Sequence, residues 1–130
     1  MTALKVGAYS DSSNDFGPVI TCQHRDKVVG YINHAEEQGA TIVVDGRNPK
    51  VEGYDDGFFV GGTLIDNVTV DMTSYQEEIF GPVLQVVRVA TMQAAMDLID
   101  ATQYGHGHCS FHRDCESARS FPKHPPLRLY

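Results

Sequence analysis

An α/β layer architecture is the fold class that this sequence predicts, and three observations predict it. The first is a helix–glycine–strand unit: a helical pattern over 21–38, then Gly39, then the β-branched run from Thr41 to Val44. The second is the apolar run 83–89, which follows directly on the break at Gly81-Pro82. The third is the order of elements along the chain, which runs helix, strand, extended segment, turn, strand, helix, strand, helix. Alternation of this kind argues for helices layered on a sheet.

Each element has its own local reason. Residues 8–17 are small and polar and end at Gly17-Pro18, so they form a loop. Thr21 offers a side-chain oxygen to the first free amides of a helix. Val28, Tyr31, Ile32 and Ala35 follow the i, i+3, i+4, i+7 rule and give that helix one buried stripe. Gly39 stands where a left-handed residue ends a helix, and Asp45-Gly46 ends the strand that follows.

Pro49, Gly53 and Gly57 mark turns, and 58–65 is extended chain with a possible bulge at Gly61-Gly62. Residues 66–74 are turn-like. The run 83–89 is expected to be a buried strand. Thr91 caps a second amphipathic helix with Met92, Ala95, Met96 and Ile99 on its apolar face, ending near Tyr104-Gly105. Residues 106–112 form a short strand, and Asp114 caps a last helix through Ala118 and Phe121. Pro122, Pro125 and Pro126 prevent that helix from continuing, so 122–130 is an irregular tail.

The composition bounds the function. A chain of 130 residues is the size of one domain and can bury a core. Seventeen acidic against ten basic residues, net −7, disfavours nucleic acid or an anionic membrane as partner. No apolar run approaches a membrane span. Cys22, Cys109 and Cys115 are odd in number and irregularly spaced, which fits a soluble protein of a reducing, intracellular compartment.

The candidate chemistry centres on Glu77, Glu78 and Phe80. Adjacent residues on a helix point about a third of a turn apart, so at most one glutamate faces a ligand. By pattern alone both are solvated surface carboxylates. A carboxylate at the end of a sheet strand is nonetheless suited to accept hydrogen bonds from two sugar hydroxyls. Phe80 could wall an adjacent ring, although core packing is the ordinary fate of a phenylalanine. His106, His108, Cys109, His112 and Cys115 are ligand types for zinc, but their spacing closes no tetrahedral site, and surface histidines are expected. Cys22 has no paired base and is a small filler residue. Residues 57–62 match neither a GxGxxG nor a P-loop.

Five segments, in order, resemble the second half of the catalytic domain of an aldehyde dehydrogenase. They are 4–7 (LKVG), 15–20 (DFGPVI), 57–61 (GFFVG), 77–83 (EEIFGPV) and Tyr104-Gly105. The wording at 17–21, 23–28 and 30–32 is similar to the CoA-acylating methylmalonate-semialdehyde dehydrogenase branch. The resemblance implies a partial domain over 1–121, a Rossmann-like open sheet flanked by helices, with 122–130 unlike the family. It also implies that Glu78 binds the hydroxyls of the nicotinamide ribose of NAD and that Phe80 packs against that ribose and ring. Glu77 is then a solvated neighbour.

Enzymes of that branch oxidise a semialdehyde through a cysteine thioester, pass hydride to NAD and hand the acyl group to CoA. The nucleophilic cysteine of the family lies upstream of the segment matching Leu4, so the resemblance implies an inactive fragment. Cys22 stands where relatives usually have proline, Gln76 replaces a lysine and Gly62 a proline. The family's Gly-Val-Asn strand is missing after Phe121, as in a truncated or frame-shifted reading frame. A compartment of cytoplasmic or mitochondrial-matrix type is implied. The alternative is a non-catalytic interaction module that associates with a full-length relative, driven by faces such as that of Val28, Tyr31 and Ile32 left exposed.

Overall fold

Thr21 and Gly39 bound the first helix as their chemistry requires. In the computed structural model, which describes residues 3–104, 107, 109 and 111, helix α1 spans Cys22–Glu37. The Thr21 hydroxyl accepts from the His24 amide at 3.1 Å, which satisfies one of the free donors of the first turn. Gly39 adopts φ +100° and lets the Ala40 amide return to the Ala35 carbonyl at 2.9 Å. The chain then enters strand β1, Thr41–Val44.

The chain divides into two units between Arg88 and Val89. In the first, β1 pairs antiparallel with β2, Thr63–Asp66, and β2 pairs parallel with β3, Val83–Gln85. The sheet is therefore mixed, in the order β1-β2-β3. A one-turn helix α2, Thr73–Gln76, precedes β3. Val28, Tyr31, Ile32 and Ala35 of α1 are buried with Val60, Ile65, Val68, Met72 and Ile79. This is the stripe expected from the spacing, and it forms one core between helix and sheet. In the second unit, Thr91 caps α3, Met92–Ala101, by accepting from the Ala94 amide at 3.1 Å.

Four expectations need correction. The run 83–89 is not a buried strand: β3 has three residues and Leu84 is 53% exposed. It is an edge strand of the described sheet, and Leu84 points to a face that no other described element covers. The irregularity assigned to Gly61-Gly62 lies in β1, where the register shifts between Ile42 and Val44. The glycine segment instead makes a close backbone approach, with the Gly61 amide donating to the Gly46 carbonyl at 2.7 Å. On α3 only Met96 is buried, and Ile99 is exposed. Finally, Val28 and Ile32 have no exposed surface and Tyr31 only 8%, because Met72, Ile79 and the sheet already cover their stripe. The apolar face expected to drive association is closed. The expected elements at 106–112 and 114–121, and the tail 122–130, lie outside the described residues.

Buried Thr63 ties the parts of the first unit together. Its amide donates to the Pro82 carbonyl at 2.9 Å and its hydroxyl accepts from the Gly46 amide at 3.1 Å. Arg47, just beyond, donates to Asp45, Asn33 and Glu36 and so fastens the end of β1 to α1. These guanidinium bonds hold the Asp45 carboxyl below the usual carboxylate range.

Two glycines should respond oppositely to alanine. A β-carbon at Gly46 would lie 2.1 Å from the Gly61 carbonyl oxygen, whereas one at Gly30, inside α1, meets nothing within 4 Å. Gly46→Ala is expected to destabilise by about 1–3 kcal/mol through overpacking. Gly30→Ala is expected to stabilise by up to about 1 kcal/mol through helix propensity. Urea unfolding followed by circular dichroism measures both, and equal midpoints for the two variants would contradict this account.

Candidate functional site

The segment 77–82 leaves α2 as extended chain and reaches β3 through a tight turn. Helix α2 is too short to carry the glutamates: it ends at Gln76, and Glu77 is its C-cap with φ −115° and ψ 151°. Ile79 is 7% exposed and joins the core, while Glu78 and Phe80 on either side of it are exposed. Extended geometry thus does what a helix would not, turning two candidate side chains outward around one buried anchor. The separation of Glu77 from Glu78 expected from helical spacing arises instead from this alternation.

Phe80 departs furthest from its expectation. Its ring is 76% exposed, and its backbone lies in the left-handed region at φ +54°. That conformation costs a non-glycine residue about 1–3 kcal/mol and persists only where neighbours enforce it. Two neighbours do so. His24 of α1 donates from Nε2 to the Phe80 carbonyl at 2.8 Å. Gly81 is seated on Val28, so closely that a β-carbon there would lie 2.8 Å from a valine methyl. Core packing of the ring, the ordinary fate, does not occur because Ile79 takes the core position.

Glu77 is not a free solvated neighbour. Its Oε2 accepts from the hydroxyl of Tyr31, whose ring lies 5.5 Å below the Lys27 ammonium. Glu78, in contrast, makes no hydrogen bond or ion pair with any described residue. An unpaired carboxylate thus stands two residues from an outward aromatic ring, and both are carried on backbone fixed from behind. That arrangement can accept two hydroxyl donors and pack a flat ring or sugar face.

The other candidates fare differently. The Cys22 sulfur accepts from Arg25 Nη2 at 3.0 Å and donates to Asp26 Oδ2 at 3.5 Å, and Arg25 also bonds that carboxylate and holds it below the usual carboxylate range. Among the described residues no group of three or more His, Cys, Asp or Glu gathers as for a metal ion. His106, His108, His112 and Cys115 lie outside the described residues, and Cys109 is exposed. A cleft of about 470 Å³ opens elsewhere, lined by Arg25, Val29, Lys50, Tyr54 and Phe59, and 77–81 takes no part in it. Sequence reasoning passed over His24 as a partner of Phe80. The available signal was spacing: His24, Val28 and Tyr31 lie at i, i+4 and i+7 on one helical face.

Comparison with known proteins bears on the fold and the family. The aldehyde dehydrogenase family matches residues 1–124. The chain is 53% identical over 119 residues to malonate-semialdehyde dehydrogenase of Pseudomonas aeruginosa, covering 92% of this chain and 24% of that protein. It is 42% identical over 118 residues to the human mitochondrial acylating methylmalonate-semialdehyde/malonate-semialdehyde dehydrogenase, covering 91% of this chain and 22% of that one. Among solved structures, methylmalonate-semialdehyde dehydrogenase of Oceanimonas doudoroffii superposes with a TM-score of 0.88 at 74% identity, over 93% of this chain and 25% of that one. An NAD complex from Sinorhizobium meliloti, described as the same enzyme, superposes with a TM-score of 0.87 at 44% identity, again over 93% and 25%. The chain therefore spans about a quarter of the length of these relatives. Within that quarter, the fold and the wording of the sequence together assign it to the aldehyde dehydrogenase family.

Proposed function

We propose that residues 77–81 form the nicotinamide-ribose half of an NAD site in a CoA-acylating malonate- or methylmalonate-semialdehyde dehydrogenase. One observation carries this reading: Phe80 is held outward in a left-handed conformation beside Glu78, a carboxylate with no partner among the described residues. Glu78 accepts the two ribose hydroxyls, and the Phe80 ring covers the ribose and nicotinamide face. NAD, when bound, supplies the hydride acceptor for aldehyde oxidation. The residues of this chain bind and orient it. The NAD complex of the S. meliloti relative supports the cofactor, and the acylating activity named for the human relative supports CoA as co-substrate. The contributing domain is 1–121, with 122–130 as a tail; the family match ends at residue 124.

The 130 residues are expected to hold this half-site without turning over substrate. The only base that the Cys22 sulfur meets among the described residues is the Asp26 carboxylate, which Arg25 holds below the usual carboxylate range and so makes a poor proton acceptor for a thiol. A second reading is favoured by one observation, the edge strand β3 with Leu84 53% exposed. An open edge with an apolar residue on it suits docking onto a full-length relative.

Three measurements test these readings. Saturation-transfer NMR with nicotinamide mononucleotide should show contact at the ribose protons, lost in Glu78→Ala; equal transfer in that variant would contradict the ribose role. Purified chain given methylmalonate semialdehyde, CoA and NAD should form no NADH, and formation abolished by Cys22→Ser would overturn the inactivity. Light scattering alone and with a purified full-length relative should report a stable mixed complex if the edge docks. Two unchanged masses would rule that docking out.

A further inference from the structure

The turn that bears Glu78 and Phe80 is pinned from one side by three side chains of α1, spaced one helical face apart. Tyr31 holds Glu77 at the start of the turn, Val28 receives Gly81 at its end, and His24 Nε2 donates to the Phe80 carbonyl at 2.8 Å between them. Ile79 is pinned as well, in the core. Among the described residues, the side chains of Glu78 and Phe80 have no hydrogen-bond or ion-pair partner. The left-handed backbone at Phe80 therefore lies between two contacts from α1, the His24 bond to its own carbonyl and the Val28 seat of Gly81.

We propose that His24 and the Tyr31–Glu77 pair are positioning residues for the ribose site, holding Phe80 left-handed before any ligand arrives. This rests on the ribose-site reading above. Without the two hydrogen bonds, Phe80 relaxes to negative φ, which swings its carbonyl and its ring about the N–Cα bond and away from their present directions. Ligand must then select the left-handed fraction, and apparent affinity falls by that fraction. A turn left-handed one time in ten binds about tenfold more weakly. Val28 and Gly81 set the distance at which these bonds form.

The test uses the full chain and two readouts. The Cα and Cβ chemical shifts of Phe80 without ligand report its backbone conformation, and titration with nicotinamide mononucleotide gives the dissociation constant. His24→Ala and Tyr31→Phe are expected to move the Phe80 shifts toward ordinary values and weaken binding about tenfold, in step with the loss of the left-handed fraction. His24→Gln, which keeps an N–H donor at similar reach, is expected to restore both. A variant His24→Ala that melts earlier but keeps wild-type Phe80 shifts and affinity would reduce His24 to a structural role and overturn the proposal. Absence of binding by the wild-type chain would instead count against the ribose reading. The Phe80 shifts then decide alone: displaced in His24→Ala and recovered in His24→Gln they sustain the positioning role, and unchanged they overturn it.

Discussion

The contact between Val28 and Gly81 is the constraint on which the first unit depends. No side chain fits between them, since a β-carbon on residue 81 would lie 2.8 Å from the valine. Helix α1 and the turn before β3 therefore approach as closely as backbone allows. At that distance the imidazole of His24 reaches the Phe80 carbonyl and the phenol of Tyr31 reaches Glu77. One residue further on, the Pro82 carbonyl meets the Thr63 amide, and the parallel pairing of β2 with β3 begins there. A single glycine thus sets both the third strand and the pose of the candidate site.

The same logic recurs on the far side of β2. Gly46 and Gly61 meet backbone to backbone, and the buried Thr63 hydroxyl fills the remaining space with a hydrogen bond to Gly46. Ile32, Ile65, Val28 and Val60 then close the core with almost no exposed surface. Each such side chain contributes about 1.5–3 kcal/mol when fully buried. Domain stabilities are only about 5–15 kcal/mol in total. The helix–turn distance is therefore held by packing energy that greatly exceeds the strain at Phe80.

Helix α1 was legible in the sequence because its information is local. Its cap, its apolar spacing and its terminal glycine all fall within nineteen positions from Thr21 to Gly39. What escaped was non-local. The acceptor for His24 is 56 residues away, and the partner of Tyr31 is 46 away. Nothing around Phe80 announces a left-handed backbone, and composition alone places a phenylalanine in the core. Glu78 and Phe80 were singled out by resemblance to a family and by their place before a strand. Their separation from Glu77 was expected for a helix, and arose from extended chain. The edge position of β3 was hidden for a similar reason, because an apolar run does not reveal which of its faces will be covered.

The alternation at 78–80 also fixes the register of this turn. In extended chain a slip of one residue exchanges the two faces. Ile79 would then be exposed, and either the Glu78 carboxylate or the Phe80 ring would take the core position beside Val28 and Met72. An unpaired carboxylate there costs far more than the packing of one isoleucine contributes. Phe80 is larger than the space that Ile79 fills, and overpacking opposes that alternative too. Burial of Ile79 therefore selects the register, and the bonds from α1 act on a segment whose facing is already decided. The outward direction of Glu78 and Phe80 follows from the core, while the left-handed turn at Phe80 follows from the helix beside it.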